Sequence, residues 1–354
     1  MLGNRKLYVD RFCEVKEFTH SFQDEEFYDF GQVDKEPGAV YLISRQEFAR
    51  HTELIKQLAQ AGTILPILGN PAEGSETMLR QMNGHGITDL VRAGKILVVA
   101  GGDMQSDIPN LIYEHFLPKL LDYTENLQAM AEYEQEWSTQ RPYKFLFLNG
   151  RARSHRRHLL HRLEHILDQA IWTNLDNTHG ESIQLLDAKY EFDFYKNNTT
   201  IQGEGFVKYR LFNNDWGEIY LTSRPYTDTY FSLVTETVFD YAYSFRTEKI
   251  WKPIAMGHPF VVASNSGYYR DLHQLGFKTF GNLIDESFDS IDNNQDRIER
   301  IAQTVEWLCQ QDLASFVKEC YNVCKYNQQL LAELSPRVRA DFPKQFEQYI
   351  NERS

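Results

Sequence analysis

A chain of 354 residues has room for two domains of ordinary size, and a composition of 42% hydrophobic and 14% aromatic residues supplies enough apolar surface for real cores. The formal charge of −13 opposes general attraction to nucleic acid or anionic lipid, so neither is expected as a partner and any phosphate site must be a local basic patch. No run approaches the roughly 18 apolar residues of a spanning helix, and the start MLGNRKLYVDRF lacks the apolar centre of a signal peptide, which points to a cytoplasmic protein without a membrane span.

In the first half, AVYLIS (39–44), TILPIL (63–68) and KILVVAGGDM (95–104) read as strands, alternating with helices over 46–61 and 75–92. That rhythm belongs to a doubly wound α/β layer. A polar, largely helical stretch from Asn126 to Arg141 precedes a fresh strand, KFLFLNG (144–150), and marks the expected boundary between a first domain over 1–135 and a second over 142–290. The second half offers strands near 144–149, 216–222, 230–235, 259–263 and 277–280, and helices near 154–168, 247–256 and 268–275. Residues 291–354 are helical in pattern, with Ile298, Ile301, Val305 and Leu308 spaced three or four apart, and this tail is expected to pack on the domains, one element crossing back onto the first. The expected fold class is α/β, two doubly wound Rossmann-like domains with a helical C-terminal tail. No strand is followed by a G-x-G-x-x-G fingerprint, which argues against a dinucleotide-dependent oxidoreductase.

Two constellations carry chemistry. In NGRARSHRRHLLHRLEHIL a strand ends at Asn149-Gly150 and a helix begins near Ser154, with Arg151, Arg153, Arg156 and Arg157 crowded around its start. A planar guanidinium holds phosphate bidentately and a helix start favours anions, so a diphosphate cradle is expected; a solvated face pairing with Glu164 and Asp168 is the plainer reading. His155, His158, His161 and His165 on the same helix lie opposite Leu159, Leu163, Ile166 and Leu167 and read as a polar face rather than a metal site. Glu191-Phe192-Asp193 is not the Asp-x-Asp of metal-dependent sugar transferases, and Cys13, Cys309, Cys320 and Cys324 read as buried thiols, so no metal or cofactor is expected. The sequon in Asn-Asn-Thr-Thr at 197–200 reads as a turn.

The second constellation runs from Phe231 to Gly267. FSLVTE reads as a buried strand delivering Glu236 to its carboxyl end, Thr247 as the cap of a helix, and Glu248 and Lys249 as its first turn. Unpaired N–H groups and the positive dipole end there favour phosphate, Lys249 adds a full charge, and Glu248 suits ribose hydroxyls. Tyr241, Tyr243 and Phe245 offer faces for a base, and Pro253 should kink or shorten the helix.

This stretch resembles the C-terminal donor-binding motif of the family-10 glycosyltransferases, the α-1,3-fucosyltransferases: Thr247-Glu248-Lys249 and Gly257-His258-Pro259 match as they stand, while Thr237 replaces the family's Asn, Phe245 replaces Tyr, and the loop from Glu236 to Glu248 is about two residues longer. The resemblance covers residues 144–285 and hardly touches the first 100. It implies the GT-B arrangement, two domains facing a cleft, and metal-independent inverting transfer from a nucleotide sugar, GDP-fucose foremost, to a glycan hydroxyl. It also implies a donor site of Arg153, Arg156, Glu236, Tyr243, Phe245, Thr247, Glu248 and Lys249. The base that takes the acceptor's proton is expected in the first domain, at Asp103 in a Gly102-Asp103-Met104 turn followed by Pro109, with Asp107, Glu114 and His115 as substitutes. Two other readings stay open: a non-catalytic member that binds a glycan or nucleotide, and a GT-B transferase using another nucleotide sugar.

Overall fold

A computed structural model of the chain describes residues 5–10, 26–28, 30–32, 34–72, 74–102, 104, 108–149, 153–174, 199–202, 205–208 and 221–353. These divide into two compact units, one formed by residues 1–118 and 334–354 and the other by 119–333. Both are α/β.

The first unit is built on a parallel sheet of six strands, β1 (Leu7–Asp10), β2 (Glu26–Tyr28), β3 (Val40–Ser44), β4 (Leu65–Asn70), β5 (Leu97–Ala100) and β6 (Leu111–Ile112), in the spatial order β2-β1-β3-β4-β5-β6. Helices over Arg45–Arg50, Thr52–Gln60, Ser75–His85 and Thr88–Arg92 connect β3 to β5, so the expected helices over 46–61 and 75–92 are each interrupted once. β1, β2 and β6 were not expected from the sequence; they are short, and β6 is only two residues long. Side chains alternate across the sheet. Leu7, Val9, Val40, Leu42, Leu65, Ile67, Leu97 and Val99 form one buried face, and Phe342, Phe346, Tyr349 and Ile350 pack on it. Each fully buried side chain of this size contributes roughly 1.5–3 kcal/mol, which explains why the end of the tail belongs to this unit.

The second unit holds a parallel sheet of four strands, β7 (Tyr143–Asn149), β8 (Ala170–Asn174), β11 (Thr229–Thr235) and β12 (Phe260–Ala263), in the order β12-β11-β7-β8. A separate antiparallel pair joins β9 (Thr199–Gln202) to β10 (Gly205–Lys208). Thr199 and Thr200 therefore open a strand rather than a turn. β8 follows a 3-10 segment over Glu164–Gln169 without an intervening Gly or Pro, which left no local signal of the switch to extended chain.

Two expectations need correction, and a third lies mostly outside the described residues. The expected strand at 277–280 is irregular, because side chains take its backbone groups: Asn327 bonds both Lys278 N and Lys278 O, and Glu286 accepts the Phe280 N–H. Of the expected strand at 216–222 only residues 221 and 222 are described, and they are not strand. The boundary between units falls at residues 118 and 119, ahead of the Thr124–Gln135 helix, and the single helix Leu313–Arg353 passes from the second unit to the first. Asn126 explains the first shift. Buried in that helix, it accepts the Leu221 N–H at 2.7 Å and donates to Leu120 O at 2.7 Å, tying the helix to the second unit.

Candidate functional site

The carboxyl ends of β7 and β11 lie side by side, since the two strands pair in register. Thr235 closes β11 and donates its hydroxyl to Asn149 Oδ1 at 2.7 Å, which links the two strand ends. Beyond β7, Arg153 is the extended N-cap of the Ser154–Arg162 helix and contributes no capping bond from its side chain. Beyond β11, Thr247 caps the Glu248–Met256 helix, its hydroxyl accepting from Lys249 N at 3.4 Å. That helix runs through Pro253 and ends at Gly257, whose φ of 65° is left-handed. Two helix starts thus stand at one edge of the sheet.

Glu236 is fully buried. Its Oε1 accepts the Thr247 N–H at 3.1 Å and the Tyr268 hydroxyl at 2.8 Å, and its Oε2 accepts the Thr247 hydroxyl at 2.6 Å. Burial raises its carboxyl above the ordinary value, against the pull of Lys249 and the Thr247 bonds. The resemblance puts Glu236 among the donor-site residues; here its carboxylate holds the next helix by its N-cap, Thr247. The main-chain oxygen of Glu236 is gripped as well, by His155 Nε2 at 3.0 Å and Arg156 Nη2 at 3.2 Å, and Arg156 also donates to Thr235 O at 3.0 Å.

These contacts determine protonation. Burial, followed by the neighbouring Arg156 charge, pulls His155 down to about 3, so it is neutral and donates to the Glu236 carbonyl. Arg153 and Lys249 push in the same direction. Burial brings Arg156 down to about 10, opposed chiefly by Glu236, and it stays charged at neutral pH. Burial also opposes ionisation of Glu248, yet the Lys249 ammonium at 2.6 Å, aided by Lys252, holds that carboxyl below its usual range.

The other expected residues divide. Tyr243 is half-buried and meets Tyr241 edge to face, ring centroids 6.3 Å apart. Phe245 is 3% exposed and belongs to the core, because the aromatic loop folds inward at that point; it offers no face to a base. His258 of the Gly257-His258-Pro259 turn is buried, bonding Ser232 Oγ at 3.0 Å and Thr229 O at 2.7 Å. The histidines over 155–165 do not form one polar face, and the expected helix over 154–168 turns 3-10 at Glu164: His155 stacks on Phe239, while His158 meets Glu299 and His165 meets Glu306. Arg162 pairs with Glu299 and Glu306.

Asp103, Asp107 and Arg151 lie outside the described residues, as do Cys13 and Glu191-Phe192-Asp193. Among the described residues no three His, Cys, Asp or Glu side chains converge as metal ligands, and no helix is long and apolar enough to cross a membrane. Cys309, Cys320 and Cys324 are buried free thiols, all raised by burial, Cys309 and Cys324 to about 12.

Two functional neighbours were missed. Tyr268, the first residue of the Tyr268–Gln274 helix, reaches Glu236 from beyond β12. Arg297 is 2% exposed and gives its fork to carbonyls of Ser264, Ile291, Asp292 and Phe239, at 2.9, 2.7, 3.1 and 2.6 Å. It clamps the loop after β11 to the loop after β12. An arginine lying one turn before Ile301 on the apolar stripe was the available signal.

The fold is thus a two-unit α/β protein with parallel sheets and a C-terminal helix, compatible with Rossmann-like domains. Comparison with protein-family profiles, curated proteins and solved structures gives no match.

Proposed function

We propose that this protein is an inverting glycosyltransferase of GT-B architecture that moves a sugar, fucose from GDP-fucose foremost, onto a glycan hydroxyl. The observation that carries the reading is the pair of helix starts at the carboxyl edge of one parallel sheet, Arg153 the N-cap of one and Lys249 in the first turn of the other, in a chain of net charge −13. Ligands of open parallel sheets bind at such edges, and a diphosphate leaving group needs fixed cations and N–H dipoles rather than a metal when these are present. In this reading Arg153 and Lys249 contact the diphosphate, Glu248 takes ribose hydroxyls, and Tyr243 with Tyr241 flanks the base. Arg156, Glu236 and Thr247 act behind them by holding the two helix starts in place. Asp103 stays the proposed base in the first unit, deprotonating the acceptor as it attacks the anomeric carbon while the nucleoside diphosphate departs.

A second reading has its own observation. Lys249 is paired with Glu248 at 2.6 Å and Glu236 already fills the Thr247 N–H, an arrangement equally suited to a non-catalytic domain that binds a nucleotide or glycan. Thermal-shift titration with GDP, UDP, GDP-fucose and UDP-glucose, followed by donor hydrolysis, separates the readings. A GDP-selective shift that is lost in Lys249→Ala, together with donor turnover, supports the fucosyltransferase. A UDP-selective shift moves the proposal to another donor, binding without turnover favours the non-catalytic domain, and no shift with any nucleotide overturns the donor site.

A further inference from the structure

The carboxyl edge of the first unit's sheet carries a second candidate site. The chain leaves β1 for β2 on one side and returns with β3 on the other, so strand order reverses between β1 and β3. Ligands bind outside the carboxyl ends of strands near such a reversal. There β1, β3 and β4 end in buried polar residues, Asp10, Ser44 and Asn70. Asp10 accepts the Ser44 N–H at 3.0 Å, and Ser44 Oγ accepts the Glu47 N–H at 3.3 Å. Asn70 differs. It is 2% exposed, yet its Nδ2 has no hydrogen-bond partner.

Alternation along β4 shows where that amide points. Leu65 and Ile67 join the cluster with Phe342 and Phe346, so Pro66, Leu68 and Asn70 face the opposite layer. Tyr41, the register partner of Pro66, meets Phe30 there, and Phe30 meets His51, so the helices over 45–60 occupy that layer. The Ser75–His85 helix joins them, because His85 contacts Phe48 and Thr52. Its N-cap is Gly74, extended and without a side chain to cap the first turn, four residues after Asn70. First-turn N–H groups have no partner within their own helix. The Asn70 amide and those donors therefore share one face of the sheet at its carboxyl end.

We infer that this edge binds a neutral saccharide, with ring hydroxyl oxygens accepting from Asn70 Nδ2 and from the first turn of the Ser75–His85 helix. The buried carboxylates of Asp10 and Glu47 at the same end oppose a second anion, whereas a hydroxyl accepts one bond and gives its own proton to a neighbouring acceptor. A buried donor left unmade costs about 1–3 kcal/mol, which the ligand recovers. Only the further step of calling this saccharide the acceptor rests on the glycosyl-transfer reading.

The test follows side-chain amide resonances of 15N-labelled full-length protein titrated with glucose, galactose and lactose, and separately with glucuronate and inorganic phosphate. Neutral sugars are expected to shift the Asn70 amide pair, and the two anions to leave it in place. Asn70→Ala should weaken sugar affinity about tenfold or more without lowering the melting temperature, since it deletes an unsatisfied donor. The near-isosteric Asn70→Asp should lose the sugar as well. Unchanged sugar affinity in these variants, a response to phosphate instead of sugar, or no response to any probe overturns the inference. Nucleotide binding is scored separately on the parent protein, so sugar binding by a protein that binds no nucleotide sinks the transferase proposal and leaves this one standing.

Discussion

Thr247 and Glu236 hold each other through two bonds, the backbone N–H of Thr247 to Oε1 at 3.1 Å and its hydroxyl to Oε2 at 2.6 Å. One acid thereby takes a helix start that would otherwise be open to a ligand, and it fixes where Glu248 and Lys249 stand. Glu236→Gln keeps the shape but puts an NH2 opposite a donor, and is expected to cost roughly 1–3 kcal/mol of stability, read as a lowered urea midpoint at unchanged m-value. Thr247→Val should lose a similar amount. A stability unchanged in both would mean that Glu236 is not the tether described above.

Arg153 separates binding from folding. It is exposed at the N-cap, so Arg153→Ala should leave unfolding within about 0.5 kcal/mol of the parent while weakening nucleotide binding roughly tenfold. Calorimetric titration with GDP checks it, and unaltered affinity would remove Arg153 from the site.

His155 and His258 are buried and neutral, each pulled down to about 3 by burial first and a neighbouring arginine second. In the unfolded chain both bind protons below the ordinary value of about 6.5, so between that pH and about 3 the unfolded state holds the extra protons. Stability must therefore fall as pH drops through this window, by up to about 1.4 kcal/mol per pH unit for each group. Acid denaturation should be measured beside His258→Gln, whose curve should be flatter; imidazole resonances of both histidines should not titrate while the protein stays folded.

Glu286 moves in the opposite sense. Burial raises it to about 6, above the 4.5 it starts from, despite its bonds to Thr279 Oγ1 and Phe280 N. The folded state then holds the proton longer, so this group's contribution declines as pH rises from 4.5 to about 6. Because the two histidines raise stability with pH over the same interval, unfolding curves of Glu286→Gln should show a steeper gain of stability there than those of the parent.

Arg297→Lys tests the clamp beneath the site. Lysine cannot reach four separated carbonyls, so the substitution should lower stability by at least about 3 kcal/mol, and nucleotide affinity should fall with it because Phe239 O and Ser264 O belong to the loops around Glu236. A variant as stable as the parent would show that the loops hold without it.

The sequence by itself determined the elements that local pattern specifies. Apolar runs such as FSLVT and KFLFLN became parallel strands, Thr247 capped its helix, Gly257 ended it, and the spacing of Ile298, Ile301, Val305 and Leu308 became the buried stripe of the Asn294–Leu308 helix. Each follows from interactions spanning a few residues, which a periodicity or a cap can encode. Tertiary structure decided what these side chains do. Whether Glu236 faces a ligand or Thr247, and whether Phe245 is a platform or core, depends on partners far along the chain, reached only when strands order as β12-β11-β7-β8 and the helices settle on them. The unit boundary has the same origin. A buried Asn126 and a tail carrying Phe342 and Phe346 join whichever sheet satisfies their hydrogen bonds and covers their apolar surface, and that choice is a free-energy comparison across the whole molecule rather than a property of any segment.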